Sequence, residues 1–217
     1  MFGGFLVGLV PESDDWSLVA SQDLNDGSGP YSSVEFDSLD LNKLYWIKGR
    51  NLKGVAASGS PRMVCRVGAA DNTTVAINSE SDGTGITTAL ASASSAFAAN
   101  NKTILYLDPT GAGSWDLLDN SDATMDDLWG HDFDLLIHLA DQGTTDTQGI
   151  PFYCTHMGQA ASGTSVRGAA STQYGGIRNA TPSSQINGFR VYCATTSFAE
   201  VAGASLAIYR YDGSIFT

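Results

Sequence analysis

Two alternating runs near the end of the chain restrict its fold more than any other feature. In the first, Ile186, Gly188, Arg190 and Tyr192 share one side of a period-two pattern, and Asn187, Phe189, Val191 and Cys193 share the other. Phe189, Val191 and Cys193 make one side apolar, which predicts a strand resting on a core. The second run sets Leu206, Ile208 and Arg210 against Ala207, Tyr209 and Tyr211. The polar connection between them, broken at Gly203, is long for a tight hairpin and suits a loop over the end of a sheet. The expectation is a domain that closes on a strand pair made from these two runs.

The same rhythm recurs upstream. Asp14–Ala20 opens the first strand, and Val34 and Phe36 share a face in the next. Leu44–Gly49 carries aromatic weight, with Trp46 read as a core residue. In Arg62–Gly68, Met63, Cys65 and Val67 point one way and Arg62, Val64 and Arg66 the other. Ile104–Leu107, Phe133–Ala140, Ile150–Met157 and Ser165–Tyr174 complete the series. Turn chemistry separates them, as at Asn25–Pro30 and Gly175-Gly176. About eight to ten short strands with such turns predict an all-β fold, an antiparallel β-sandwich or jelly roll with long loops. One short helix is expected in the alanine-rich stretch Thr87–Asn100. No repeat of fixed period is present, which excludes a propeller or β-helix. No charged or Pro-rich linker divides the 217 residues, so 16–217 reads as a single β-sandwich domain preceded by an apolar N-terminal arm, 1–15.

Met1–Val10 has the apolar character of a signal-peptide centre but lacks a basic residue before it and a small-residue cleavage site after it. It is too short to span a bilayer, so no membrane association is expected. An arm or first strand buried in the domain or against a neighbouring subunit fits better, with Phe2, Phe5, Leu6, Val7 and Leu9 as the contact residues.

Charged residues make up only 16% of the chain, so its surface is built largely from Ser, Thr, Asn, Gln and Gly. The net charge of −12 repels phosphate backbones and argues against a nucleic-acid partner. Cys65, Cys154 and Cys193 are an odd number within strand-like stretches. Three buried thiols is the plain reading, and one bridge plus a free thiol the alternative.

Chemistry finds little purchase. There is no P-loop, no dinucleotide fingerprint and no G-x-S-x-G elbow; Gly111-Ala112-Gly113-Ser114-Trp115 lacks the closing glycine. No cofactor and no catalytic residue are therefore expected. His131, His138 and His156 form no metal-ligand spacing, and His138 alternates with apolar neighbours as a strand residue does. Between Asp108 and Asp134 eight aspartates occur without Lys or Arg. Asp119, Asp122, Asp126 and Asp127 offer hard oxygens to a calcium ion, although the EF-hand order is not met. A solvated, mutually repelling loop is the plainer reading, and no metal is expected. A carboxylate pair for glycoside hydrolysis, such as Asp116 with Asp132, has nothing to fix its separation. Trp46, Trp115, Trp129, Tyr174, Tyr209 and Tyr211 can supply a sugar platform. Trp115 and Trp129 flank the acidic segment and suit a contact surface, for glycan or for protein.

With the strands placed, the chain resembles the β-sandwich structural proteins of tailed-phage virions, the head-decoration and fibre-like family. The resemblance rests on Trp16-Ser17-Leu18-Val19, Val34-Glu35-Phe36-Asp37-Ser38-Leu39 and Leu44-Tyr45-Trp46-Ile47-Lys48-Gly49. Its most specific part is the closing pair, Ile186-Asn187-Gly188-Phe189-Arg190-Val191-Tyr192 and Gly203-Ala204-Ser205-Leu206-Ala207-Ile208-Tyr209. The family's Ser-Gly-Asn turn between these strands and its Tyr-Gly ending are replaced here by Ala194–Ala202 and Tyr209-Arg210. The resemblance implies a non-enzymatic component of the particle surface, a capsid decoration (cement) protein that binds capsid or other virion proteins as a homo-oligomer, usually a trimer. The alternative is a fibre or tail-tip adhesin that binds host surface glycans.

Overall fold

The computed structural model describes residues 15–55, 61–71, 75–78, 114–116, 130–141, 149–162, 165–179, 185–193 and 196–213. The described chain is all β, arranged as two antiparallel sheets packed face to face, with no α-helix among the described residues. The helix expected in Thr87–Asn100 and the strand expected at Ile104–Leu107 lie outside them.

In chain order the strands are β1 (Trp16–Asp23), β2 (Ser33–Phe36), β3 (Lys43–Leu52), β4 (Pro61–Val67), β5 (Ala70–Asp71) and β6 (Val75–Asn78), followed by β7 (Ser114–Asp116), β8 (His131–Leu139), β9 (Gly149–Ser162), β10 (Ser165–Asn179), β11 (Gly188–Cys193) and β12 (Ser205–Tyr211). The large sheet runs β1-β12-β3-β8-β9-β10-β6, and the small one β2-β11-β4-β5 with β7 against β4.

Period-two burial follows from a pleat with one face on the core. In β8, His131, Phe133, Leu135, Ile137 and Leu139 are buried while their neighbours are half-buried. The large sheet contributes Tyr45, Ile47, Phe133, Leu135, Leu206 and Ile208 to the core, and the small sheet answers with Phe36, Met63, Cys65, Phe189 and Val191. Gly49 on β3 stands opposite Phe133 on β8, and its missing side chain makes room for that ring, since a Cβ there would overlap Phe133 Cε1. Cys65, Cys154 and Cys193 are free thiols, all buried, and burial pushes the Cys65 thiol pKa upward.

The inner faces of the closing runs are as expected, but the runs do not pair. β11 lies in the small sheet between β2 and β4, and β12 lies in the large sheet between β1 and β3. Residues 196–204 therefore belong to a connection from one sheet to the other. Phe198 pins this crossing: it is fully buried, its N–H donates to Tyr31 O at 2.8 Å, and it bridges Tyr31 and Gly54. Val55 N donates to Ser197 O at 2.9 Å and Ala199 N to Lys53 O at 2.8 Å, so the crossing backbone is hydrogen-bonded where it leaves the sheets. The apolar sides of β11 and β12 meet the same core from opposite sheets, which satisfies their patterns as well as side-by-side pairing would.

Candidate functional site

The outer face of the large sheet carries the molecule's aromatic surface. Register places Leu18 of β1 opposite Tyr209 of β12, Tyr209 opposite Trp46 of β3, Trp46 opposite Leu136 of β8 and Leu136 opposite Tyr153 of β9. Directly opposed residues share a face, so one row of apolar and aromatic residues crosses five strands, and the backbone register sets Tyr174 of β10 next in line. Trp16 and Tyr211 form a second opposed pair alongside. The rings touch: Trp16 and Trp46 meet edge to face at 5.5 Å between centroids, Trp16 and Tyr211 at 5.4 Å, and Trp46 and Tyr209 at 6.2 Å. The Trp16 indole N–H is enclosed there and has no acceptor among the described residues. Trp46 is thus half-buried on the outer face and not in the core as its residue type suggested.

Charged groups border the rings and are held by them or by each other. Lys48 Nζ sits 3.7 Å from the centre of the Trp46 ring and 5.4 Å from that of Tyr209. Burial, then the neighbouring Arg50 guanidinium, lowers the Lys48 pKa, while Asp134 works the other way. Arg50 Nη2 donates to Asp134 Oδ1 at 2.6 Å, and the same oxygen accepts from Trp46 Nε1 at 2.8 Å. The second Arg50 nitrogen donates to Gly49 O and Phe133 O, each at 2.8 Å. The guanidinium is locked to the sheet and is not presented to solvent as a ligand clamp.

At the sheet's margin the apolar surface opens to solvent. β1 is an edge strand, and its ladder slips between Leu18 and Ala20, a bulge that takes Val19 out of the alternation. Leu18 is 55% exposed and Val19 44%; with Val55 they are the large exposed hydrophobic residues among those described. No charged residue occurs between Trp16 and Gln22.

The outer face of the small sheet is different. Arg66 of β4 is buried, with its Nε 2.7 Å from Asp37 Oδ1, its Nη2 3.2 Å from Asp37 Oδ2 and 2.7 Å from Ala69 O, and its Nη1 3.4 Å from Asp71 Oδ1. Arg190 of β11 forks onto both oxygens of Asp71 and stacks on Tyr192 at 4.5 Å. This is a closed ion-pair network, with each guanidinium and carboxylate answered within the chain.

Of the residues singled out in the sequence, Tyr209, Tyr211 and Trp46 come together on the large sheet, joined by Trp16, Lys48, Leu18, Val19, Leu136 and Tyr153, which sequence reasoning passed over. The signal was available for Lys48, which has the parity of Trp46 in β3, since a lysine marks a solvent-facing side. Trp115 lies on β7 with its backbone opposite Met63, in the small sheet. Phe2, Phe5, Leu6, Val7, Leu9, Asp119, Asp122, Asp126, Asp127 and Trp129 lie outside the described residues. Among the described residues no group of three or more His, Cys, Asp or Glu is placed to hold a metal ion.

A scan against protein-family models, a search of curated proteins and a search of solved structures each return no match.

Proposed function

We propose that this chain is a non-enzymatic structural protein of a tailed-phage virion, a capsid decoration protein that assembles through the outer face of its large sheet. The observation that carries the reading is the contrast on its surface. The strong polar groups described on the small sheet's outer face are paired with one another, whereas the large sheet offers a row of aromatic and aliphatic residues ending in exposed Leu18 and Val19. Such a surface gains free energy by being covered. The resemblance of the closing strands to virion sandwich proteins supplies the context. A cement protein works by covering surface across several neighbours through many modest contacts, which a broad aromatic sheet face with its charges paired internally can provide.

Host-glycan binding is the second reading, and the ring cluster favours it, since sugars stack on Trp and Tyr faces. Against it, Trp46 already has Lys48 over its ring and Trp16 at its edge, so it is a poorly open platform. The test is to add purified protein to particles lacking it and to follow binding and the temperature of particle disruption. Saturable binding at a symmetric copy number with a raised disruption temperature is expected. Adsorption to host cells, blocked by soluble glycan, with no binding to particles would replace the first reading with the second.

A further inference from the structure

We propose that the uncharged strip along β1 and the adjoining rings, Trp16, Leu18, Val19, Tyr209 and Tyr211, is where copies of this chain meet one another. The inference rests on the assembly reading above and names the partner at that face.

The argument begins with charge. Two copies each carrying −12 repel, and the repulsion is smallest where the approaching surfaces are neutral. From Trp16 to Gln22 the strand has no charged residue. Behind it, Lys48 of β3 stands opposite Asp134 of β8, which also accepts from Arg50, and Asp132 accepts from Asn51 N, so the charges there are answered within the chain. At the near end Arg210 is held between Asp40 and Asp212. Symmetry sharpens the point. Around a rotation axis a residue meets its own counterpart, so a charged residue there meets like charge, whereas Leu18 or Val19 meets an apolar twin. An unlike partner would place no such demand on the strip.

The bulge decides how the contact is made. An edge strand with free N–H and C=O groups invites another strand to extend the sheet, but a slipped ladder twists the edge and interrupts that register. Ser17 to Ser21 are all exposed along this edge, Leu18 and Val19 among them. The copies therefore pack side chain against side chain across the strip and do not form one continuous ladder.

The test uses the full chain. Its mass in solution is measured by sedimentation over a concentration series for the natural protein, for Leu18→Lys and for Tyr192→Lys on the opposite sheet. The natural protein is expected to be a discrete oligomer. Leu18→Lys is expected to dissociate at a concentration at least about tenfold higher than the natural protein does, with its circular dichroism unchanged, and Tyr192→Lys to behave as the natural chain. Leu18→Cys provides a second readout that does not depend on weakening anything. The natural cysteines are buried and free, so mild oxidation should link Leu18→Cys chains covalently and leave the natural protein unlinked. A monomeric natural protein, or an oligomer that ignores Leu18→Lys and gives no link through Leu18→Cys, overturns the proposal. If particles still bind the protein in that case, the assembly reading stands and the strip's occupant is another virion protein; if they do not, both fall.

Discussion

The two outer faces of this sandwich are built from similar strands and yet do opposite things. On the small sheet, Arg66 is enclosed by Asp37 and Asp71, and Arg190 shares Asp71 while lying on Tyr192. On the large sheet, the rings of Trp16, Trp46, Tyr209 and Tyr211 touch one another, and the row runs out into exposed Leu18 and Val19. A charged network that closes on itself fixes a structure and leaves little to offer a partner. An apolar row that ends in solvent is stable enough to fold and still gains from cover. The difference is one of completeness rather than polarity, and it separates the face closed by its own ion pairs from the face proposed here to meet a partner.

That contrast predicts a graded response to substitution. The largest loss should follow Arg66→Met, which takes the buried cation from Asp37 and leaves Asp71 with Arg190 alone. We expect the unfolding free energy to fall by about 3 kcal/mol, as for breaking other buried pairs, read as a lower urea midpoint with unchanged slope. A loss below about 1 kcal/mol would reduce the network to a set of surface pairs and dissolve the contrast. Trp46→Ala comes next, at about 2 kcal/mol, because it removes ring contacts on a half-buried face together with the lysine resting on it.

Lys48→Met should change stability at neutral pH by no more than about 0.5 kcal/mol, since the lost cation–ring contact is offset by relief of a poorly solvated charge. Its signature is in the pH dependence. The folded protein holds the Lys48 pKa below the ordinary lysine value. Between the lowered value and the ordinary one the unfolded chain binds more protons, so this group makes stability rise with pH across that window. Burial raises the pKa of Tyr45, and that group acts in the opposite sense at higher pH, so the lysine's contribution is read as the difference between natural and Lys48→Met curves. Identical curves would show that the ring cage does not perturb the lysine. The smallest stability change belongs to Leu18→Lys, within about 0.5 kcal/mol of zero, even though that substitution should most affect association.

The sequence made the inner faces of the strands legible and left their neighbours obscure. Phe189, Val191 and Cys193, and likewise Leu206 and Ile208, are buried as their alternation requires. Alternation reports which side of a strand meets the core but says nothing about which strand lies beside it, so two adjacent runs were read as a pair when they belong to opposite sheets. The length of β9 and β10 was hidden for a different reason. β9 continues past its expected end at Met157 to Ser162, and β10 runs through Gly175-Gly176, expected as a break, to Asn179; these Gly-rich additions have little strand propensity and are held by cross-strand register. Trp46 was assigned to the core because of its size, although Lys48 two residues on had the same parity and pointed to solvent. The edge strip was invisible because a bulge has no signature in Leu18-Val19-Ala20 itself; it exists only as a slip against β12.

The account's central claim, that the large sheet's outer face is the assembling surface, can be tested by counting copies on particles for one substitution on each face. Tyr209→Glu places a carboxylate in the aromatic row, and Tyr192→Glu places one beside Arg190 on the small sheet. Purified, folded variants are added to particles lacking the protein, and bound copies are counted by quantitative mass spectrometry. The prediction is full occupancy for Tyr192→Glu and a loss of at least about tenfold in apparent affinity for Tyr209→Glu. Full occupancy for Tyr209→Glu with loss for Tyr192→Glu would contradict the assignment and move the working surface to the opposite sheet.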